Sequence, residues 1–319
     1  MGLGNSAGRV GLFFHPAFIE HNTGAGHPER PDRVTAILAH LERRPIWKQL
    51  TPLEPSPASR ETLQLVHPPY YVDGIEHACA QGPTALDPDT VASVGSWEAA
   101  LRAVGAVTGA IDLVSNGTLS SAFCLVRPPG HHALANRAMG FCLFNNVAIG
   151  ARHAQQRHGL KRILIVDWDV HHGNGTQAIF EDDPSVLYFS THQFPHYPGT
   201  GLARETGQGK GAGFTVNVPL PSGADDAMVI QAFERFLVPK ADAFAPELVL
   251  ISSGFDAHQD DPLAGLKLTE DGYAELTRIV RRIADRSASG RIVSALEGGY
   301  DLRALAVSVE AHMEVLTQK

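Results

Sequence analysis

Seven short stretches of the chain, 9–14, 122–126, 163–166, 186–190, 214–218, 248–252 and 292–296, are almost continuously apolar and bounded by Gly, Pro or polar residues. Apart from 214–218, where Thr and Asn alternate with apolar residues, they lack the apolar–polar alternation of a strand with one wet face. Such runs read as strands buried on both faces, the state of a strand inside a parallel sheet covered by helices. Between them lie segments whose apolar residues recur at helical spacing: 34–43, which follows Pro31 and Asp32, the Ala-rich 97–114, then 146–156 and 272–286. Strand and helix alternate, so the expected fold class is α/β: one domain over 1–319, doubly wound around a central parallel sheet. The Pro-rich 51–57 and the Gly-rich 199–213 read as surface loops.

That architecture needs a large core, and 319 residues with 44% hydrophobic content supply one without a disulfide staple. The 3 cysteines, Cys79, Cys124 and Cys142, lack CxxC spacing and fit small buried side chains in a reduced compartment. A net charge of -8 argues against a nucleic-acid binder working through a broad basic surface. No apolar run is long enough to span a bilayer, and residues 1–10 lack the pattern of a secretory leader. The chain is therefore expected to be soluble and cytoplasmic. Its 16 histidines are clustered. In an open parallel sheet the ligand site lies outside the carboxyl ends of the strands, so polar residues just after the apolar runs come first.

After 163–166 comes Asp167-Trp168-Asp169-Val170-His171-His172-Gly173-Asn174-Gly175. In an extended strand end Asp167, Asp169 and His171 project to one side, and two of them can reach one metal. A single Asp or His would more often cap a helix or sit satisfied in the core; this density points to a site. The run 248–252 delivers Ser253-Gly254-Phe255-Asp256 to the same rim, where Asp256 offers a third ligand. Two oxygens and one imidazole leave a zinc ion open positions for water and substrate, as a catalytic site needs. After 122–126 comes Arg127-Pro128-Pro129-Gly130-His131-His132, and paired imidazoles at an irregular strand exit suit proton transfer near neutral pH. The run 292–296 ends in Glu297-Gly298-Gly299-Tyr300, where two glycines let the backbone turn and present a phenol.

Taken in order, His27-Pro28-Glu29-Arg30-Pro31, 127–132, Gly140-Phe141-Cys142-Leu143-Phe144-Asn145-Asn146, 167–175, 254–256 with Asp261-Pro262-Leu263, and 297–300 resemble the histone deacetylase family over most of the chain. The detail is similar to class II enzymes, because Asn174 stands where class I members usually carry Asp and Arg-Pro-Pro-Gly precedes His131. The resemblance implies an arginase–deacetylase fold with a sheet of about eight strands. It also implies a zinc-dependent hydrolase of N-acyl lysine or a related acylated amine. One zinc would lie on Asp169, His171 and Asp256. His132 would be general base and acid, oriented by Asn174, and His131 its electrostatic partner, held by Asp167. Tyr300 would donate to the oxyanion, and Gly140, Phe141, Tyr197 and Leu263 would line an acyl-amine tunnel. Potassium is implied beside the zinc, from Asp167, Asp169, His171, Ser190 and Thr191, with a second such site at Phe180, Asp183, Val186 and Phe214. Arg33 is implied on an acetate exit path, while Glu29 and Arg30 are expected as a solvated ion pair.

Two other readings share the fold. A two-manganese arginase or agmatinase relative resembles an Asp-x-Asp pattern where this chain has His258 two residues after Asp256, and no Asp follows soon after His131-His132. A catalytically silent acyl-lysine binder would have lost Tyr300 or a metal ligand, and none is lost. Among substrates, acetylpolyamine deacetylases share the catalytic residues. One vertebrate branch carries Glu after Asp-Pro, where this chain has Leu263, and an apolar residue there offers no charge to select a cationic polyamine. Acyl-lysine or a neutral acylated amine is the expected substrate, with the acidic 87–89 loop pulling toward polyamines. The expected partner is that acylated amine, with no nucleic acid and no membrane. A homo-oligomer is left open, with the apolar loop residues Phe18 and Ile19 available for an interface or a lid.

Overall fold

Each of the seven apolar runs forms a strand in the computed structural model, which describes residues 9–318. The strands are β1 (Val10–Phe13), β2 (Leu50–Leu53), β3 (Thr84–Ala85), β4 (Val91–Ala92), β5 (Ser121–Cys124), β6 (Ile163–Asp167), β7 (Val186–Gln193), β8 (Thr215–Leu220), β9 (Leu248–Ser253) and β10 (Ile292–Leu296). Eight of them make one parallel sheet in the order β2-β1-β5-β10-β9-β6-β7-β8, and β3 pairs with β4 in a small antiparallel ladder. Strands β1, β5, β6, β9 and β10 are buried along their whole length, which is why their sequences do not alternate. Helices Ser96–Ser115 and Asn146–His158 pack together on one face, and Asp32–Leu41, Glu270–Ser287 and Leu302–Thr317 pack together on the other. Side chains of Asn145, Thr269 and Asp301 cap the helices that follow them, which fixes where each starts.

The structure departs from the sequence pattern at the periphery. The Pro-rich 51–57 begins as the edge strand β2, where Pro52 is tolerated because an edge leaves one side of the ladder free. Helix Leu302–Thr317 is buried around most of its circumference, so its sequence carries no clear amphipathic stripe. Phe18 lies fully buried in the core and Ile19 packs against the same cluster, so packing accounts for both rather than a lid or an interface.

Glu29 is not half of a solvated pair. It is buried between Arg33, 3.0 Å away, and Arg127, 2.5 Å away, while Arg30 pairs with Asp32 at the surface. Burial favours the neutral acid, but Arg127 and Arg33 overcome it and hold the Glu29 carboxyl well below the usual range. A buried carboxylate keeps its charge only with such partners. All three cysteines are free and buried. No helix among the described residues is long and apolar enough to cross a membrane. The expectation that the chain starts without a secretory leader falls largely on residues 1–8, outside the described residues.

Candidate active site

Strands β5, β10, β9 and β6 are consecutive neighbours in the sheet and run parallel. Their carboxyl ends therefore bring the His131-His132 loop, the Tyr300 turn, Asp256, and Asp169 with His171 to one place. β6 ends at Asp167, and the irregular backbone after it carries Asp169 and His171 onward.

Asp169, His171 and Asp256 bring one donor atom each to within 4.8 Å of one another in the interior. Asp169 accepts from the backbone N–H groups of His171 and Gly298, both at 2.8 Å, and Asp256 Oδ1 accepts from Val170 N at 2.8 Å. His171 Nδ1 lies 3.0 Å from Asp169 Oδ1 and 3.2 Å from Asp256 Oδ2. Its single proton serves the former, and Asp256 Oδ2 is left buried without a donor. Burial and the neighbouring Asp169 push the Asp256 carboxyl up. An orphaned oxygen, two crowded carboxylates and an imidazole form a donor set that a zinc ion fits, with positions left open. Gly298 makes the crowding feasible, because a Cβ there would overlap Oδ2 of both Asp169 and Asp256.

His131 and His132 sit beside this group with ring centroids 4.0 Å apart. His131 Nδ1 donates to Asp167 Oδ2 at 3.1 Å, and the Tyr188 hydroxyl donates to the same oxygen at 3.1 Å. Burial opposes charge on His131, but Asp167 and Asp169 outweigh it and raise its pKa to about 10. His132 Nδ1 lies 2.8 Å from Asn174 Oδ1. Burial, then the charges of His131 and His171, lower His132 well below its ordinary value. The pair is thereby split into one charged and one neutral imidazole, the separation that acid–base chemistry uses.

The loop carrying these histidines is held by Glu297, whose importance the sequence pattern does not reveal. Its carboxylate accepts from Gly130 N at 2.6 Å, His131 N at 3.1 Å and Ser252 Oγ at 3.0 Å. An acidic residue directly after a fully buried strand is the one signal that marks it in the sequence.

Above the metal-competent group lies a cavity of about 230 Å³ whose walls include Gly140, Phe141, Tyr197, Leu263 and Tyr300. Phe141 adopts a left-handed backbone with φ 68°, held by donation from its N–H to Thr90 Oγ1 at 3.0 Å and by the His27 ring 4.7 Å away. Tyr300 is fixed by its backbone N–H on Asp261 Oδ2 at 2.7 Å, and its ring packs between Phe141 and the Arg33 guanidinium, 5.0 Å away. Burial and Asp256 raise the phenol well above its ordinary pKa, so it remains an O–H donor. Arg33 is fully buried and donates to Gly299 O at 2.6 Å and to Glu297 O, bracing the Tyr300 turn. Asp89 also lines the cavity, as does His196, which the sequence pattern does not single out and whose ring stacks on His171 at 5.0 Å.

The remaining candidates lie nearby or apart. Ser190 stands directly opposite Asp167 in the β6–β7 register, and Thr191 follows it, buried. Phe180, Asp183, Val186 and Phe214 lie at the opposite end of β7. There the Asp183 carboxylate is engaged by Arg152 at 2.5 Å, and the carbonyls of Phe180, Asp183 and Phe214 each accept a backbone N–H. His258 is outside the metal-competent group, with Nδ1 accepting from Asp260 N at 3.1 Å.

The sequence pattern of the histone deacetylase domain matches residues 27–316. A probable deacetylase of Archaeoglobus fulgidus is 41% identical, over 92% of this chain and 82% of that protein. The histone deacetylase-like amidohydrolase of Pseudomonas aeruginosa is 40% identical, over 89% of this chain and 75% of that protein. The human polyamine deacetylase HDAC10 is 44% identical, over 88% of this chain and 43% of that protein. The crystal structure of the HDA15 HD domain superposes with a TM-score of 0.92, at 39% identity, over 98% of this chain and 90% of that one, which makes this the arginase–deacetylase fold. With the domain pattern spanning most of its length and such relatives on either side of it, the chain belongs to the histone deacetylase family.

Proposed function

We propose that this chain is a zinc-dependent deacylase that hydrolyses the amide of an N-acyl lysine or a related acylated amine, with 1–319 acting as one catalytic domain in the cytoplasm. The observation that carries the proposal is the pair of adjacent imidazoles, oriented by Asp167 and Asn174, beside a three-residue group with a donorless buried oxygen at the base of a cavity. Asp169, His171 and Asp256 would hold one zinc, which when bound supplies Lewis acidity, polarising a carbonyl and acidifying water. His132, neutral and with Nε2 free, takes the proton of the attacking water and returns it to the leaving amine. His131, charged and anchored on Asp167, stabilises the negative charge that grows beside it. The Tyr300 hydroxyl donates to the oxyanion, and one preorganised donor of this kind typically contributes about 3–4 kcal/mol. Potassium on Asp167, Asp169, His171, Ser190 and Thr191 belongs to the same proposal, as does a second ion near Phe180, Asp183, Val186 and Phe214.

Leu263 on the cavity wall favours an acyl-lysine or neutral amine, because it has no charge to offer a cationic chain. The second reading, an acetylpolyamine deacetylase, draws on Asp89 in the same wall and on the likeness to human polyamine deacetylase HDAC10. Zinc-loaded protein assayed on acetyl-lysine peptides, acetylputrescine and acetylspermidine separates them. The higher kcat/KM is expected on acetyl-lysine, and a polyamine preference selects the second reading. Stoichiometric zinc with no turnover of any acylated amine would leave an acyl-lysine binding protein. A manganese pair in each chain would point to arginase-type chemistry.

A further inference from the structure

A second group of metal-competent side chains lies away from the cavity, where helices Ser96–Ser115 and Asn146–His158 meet. Asp112 on the first helix and His153 and His158 on the second bring one donor atom each to within 4.8 Å of one another. Nε2 of His153 lies 2.8 Å, and Nε2 of His158 2.6 Å, from the same oxygen, Asp112 Oδ1. The two rings stand edge to face, 5.9 Å apart at 70°. Their side chains are 17% and 21% exposed and that of Asp112 44%, so the group is framed by the two helices yet open to solvent on one side.

We infer that Asp112, His153 and His158 form a second metal site, for a divalent transition-metal ion of the zinc, nickel or copper class, that joins these two helices. Two imidazoles and one carboxylate suit borderline divalent ions better than the oxygen-seeking magnesium or calcium. Around a tetrahedral ion with bonds of about 2.0–2.2 Å, donors stand about 3.3 Å apart, so each imidazole nitrogen needs to move only about half an ångström or slightly more away from Asp112 Oδ1. Burial favours the neutral acid at Asp112, but the hydrogen bonds from His153 and His158 outweigh it and hold the carboxyl below its ordinary range. His158 also ends its helix, with Gly159 following at φ 67°, and the free carbonyls of a last turn attract a cation.

The same helix begins at the catalytic loop, where Asn145 donates to Ala133 O and Asn146 to Pro128 O, both at 3.2 Å. An ion at its far end would fasten that helix to its neighbour, so its effect is on stability and not on the reaction itself.

The test is equilibrium dialysis of zinc-loaded protein against micromolar free Ni²⁺ or Zn²⁺, with metals counted by mass spectrometry. Wild type is compared with His153→Ala and with His158→Gln, which keeps size and hydrogen bonding. Each variant is expected to hold one ion per chain fewer than wild type. Added Ni²⁺ should raise the melting temperature of wild type by a few degrees and leave both variants unmoved. Equal metal content in all three proteins, or a melting shift that both variants retain, overturns the inference whatever the cavity binds. If His153→Ala does not fold, His158→Gln decides alone.

Discussion

Asn174 Oδ1 accepts from His132 Nδ1 at 2.8 Å, with its amide nitrogen turned toward Met139 Sδ at 3.4 Å. Because Nδ1 carries the proton, Nε2 holds the lone pair that faces the cavity floor. A carboxylate in place of the amide would favour the imidazolium. Asn174→Asp is therefore expected to move the acidic limb of the kcat/KM profile to higher pH, by about one unit or more. An unmoved limb would show that Asn174 does not set the protonation of the base.

Tyr300 stands in the cavity wall and outside the metal-competent group. Tyr300→Phe should lower kcat by about 10²–10³ while zinc bound per chain stays as in wild type. Parallel loss of both quantities would make the residue structural.

The Cβ that Gly298 lacks would occupy the space of two carboxylate oxygens, Oδ2 of Asp169 and of Asp256, that the proposal assigns to zinc. Gly298→Ala should weaken zinc binding by at least about tenfold, a loss of the size seen when the surroundings of metal ligands are disturbed. Dialysis against buffered zinc measures it, and wild-type affinity in the variant would mean that the turn can shift without cost.

His312 is fully buried among the rings of Phe123, Trp168 and Phe255, with Nδ1 2.8 Å from Thr277 Oγ1 and Nε2 2.9 Å from Ser294 Oγ. Thr277 already donates to Tyr273 O at 2.7 Å, so it accepts from Nδ1–H, and Ser294 donates to Nε2. Burial lowers this imidazole from 6.5 to about 3. Above the unfolded value it is neutral in both states and pH has no effect through it. Below that value the unfolded chain binds a proton that the folded chain refuses, so stability falls as pH drops toward 3, by on the order of 1 kcal/mol per unit. His312→Gln should be less stable than wild type at pH 7 but lose less between pH 6.5 and 4, as denaturant melts at several pH values would measure. An identical slope in both proteins would remove His312 from the acid sensitivity.

The strands of the sheet centre were legible because burial on both faces leaves an unbroken apolar run, as in β6 and β9. Their order was not. Nothing in chain order says that β10, the last strand, inserts between β5 and β9, yet that insertion carries the Tyr300 turn to the metal-competent group. Asp169, His171 and Asp256 could be picked out because residues able to bind a metal gather densely just after two such runs. Glu29 was misread because its partners, Arg33 and Arg127, are gathered by folding, and a sequence shows charge without showing what desolvates it. His312 was invisible for a related reason, since its two hydroxyl partners come from other elements.

The buried Glu29 carboxylate has a consequence for how this molecule tolerates change. It grips Arg127, which opens the loop of the base, and Arg33, which clasps the turn of the phenol. The proposed proton acceptor, His132, and the proposed oxyanion donor, Tyr300, thus hang from one shared pin. Damage to that pin would register on both arms at once, and substitutions along either arm would not combine as independent events. The cavity wall at Leu263 is tied to one arm as well, because the Asp261 carboxylate accepts from the backbone N–H groups of both Leu263, at 2.9 Å, and Tyr300, at 2.7 Å, so a change of backbone there would reach the phenol.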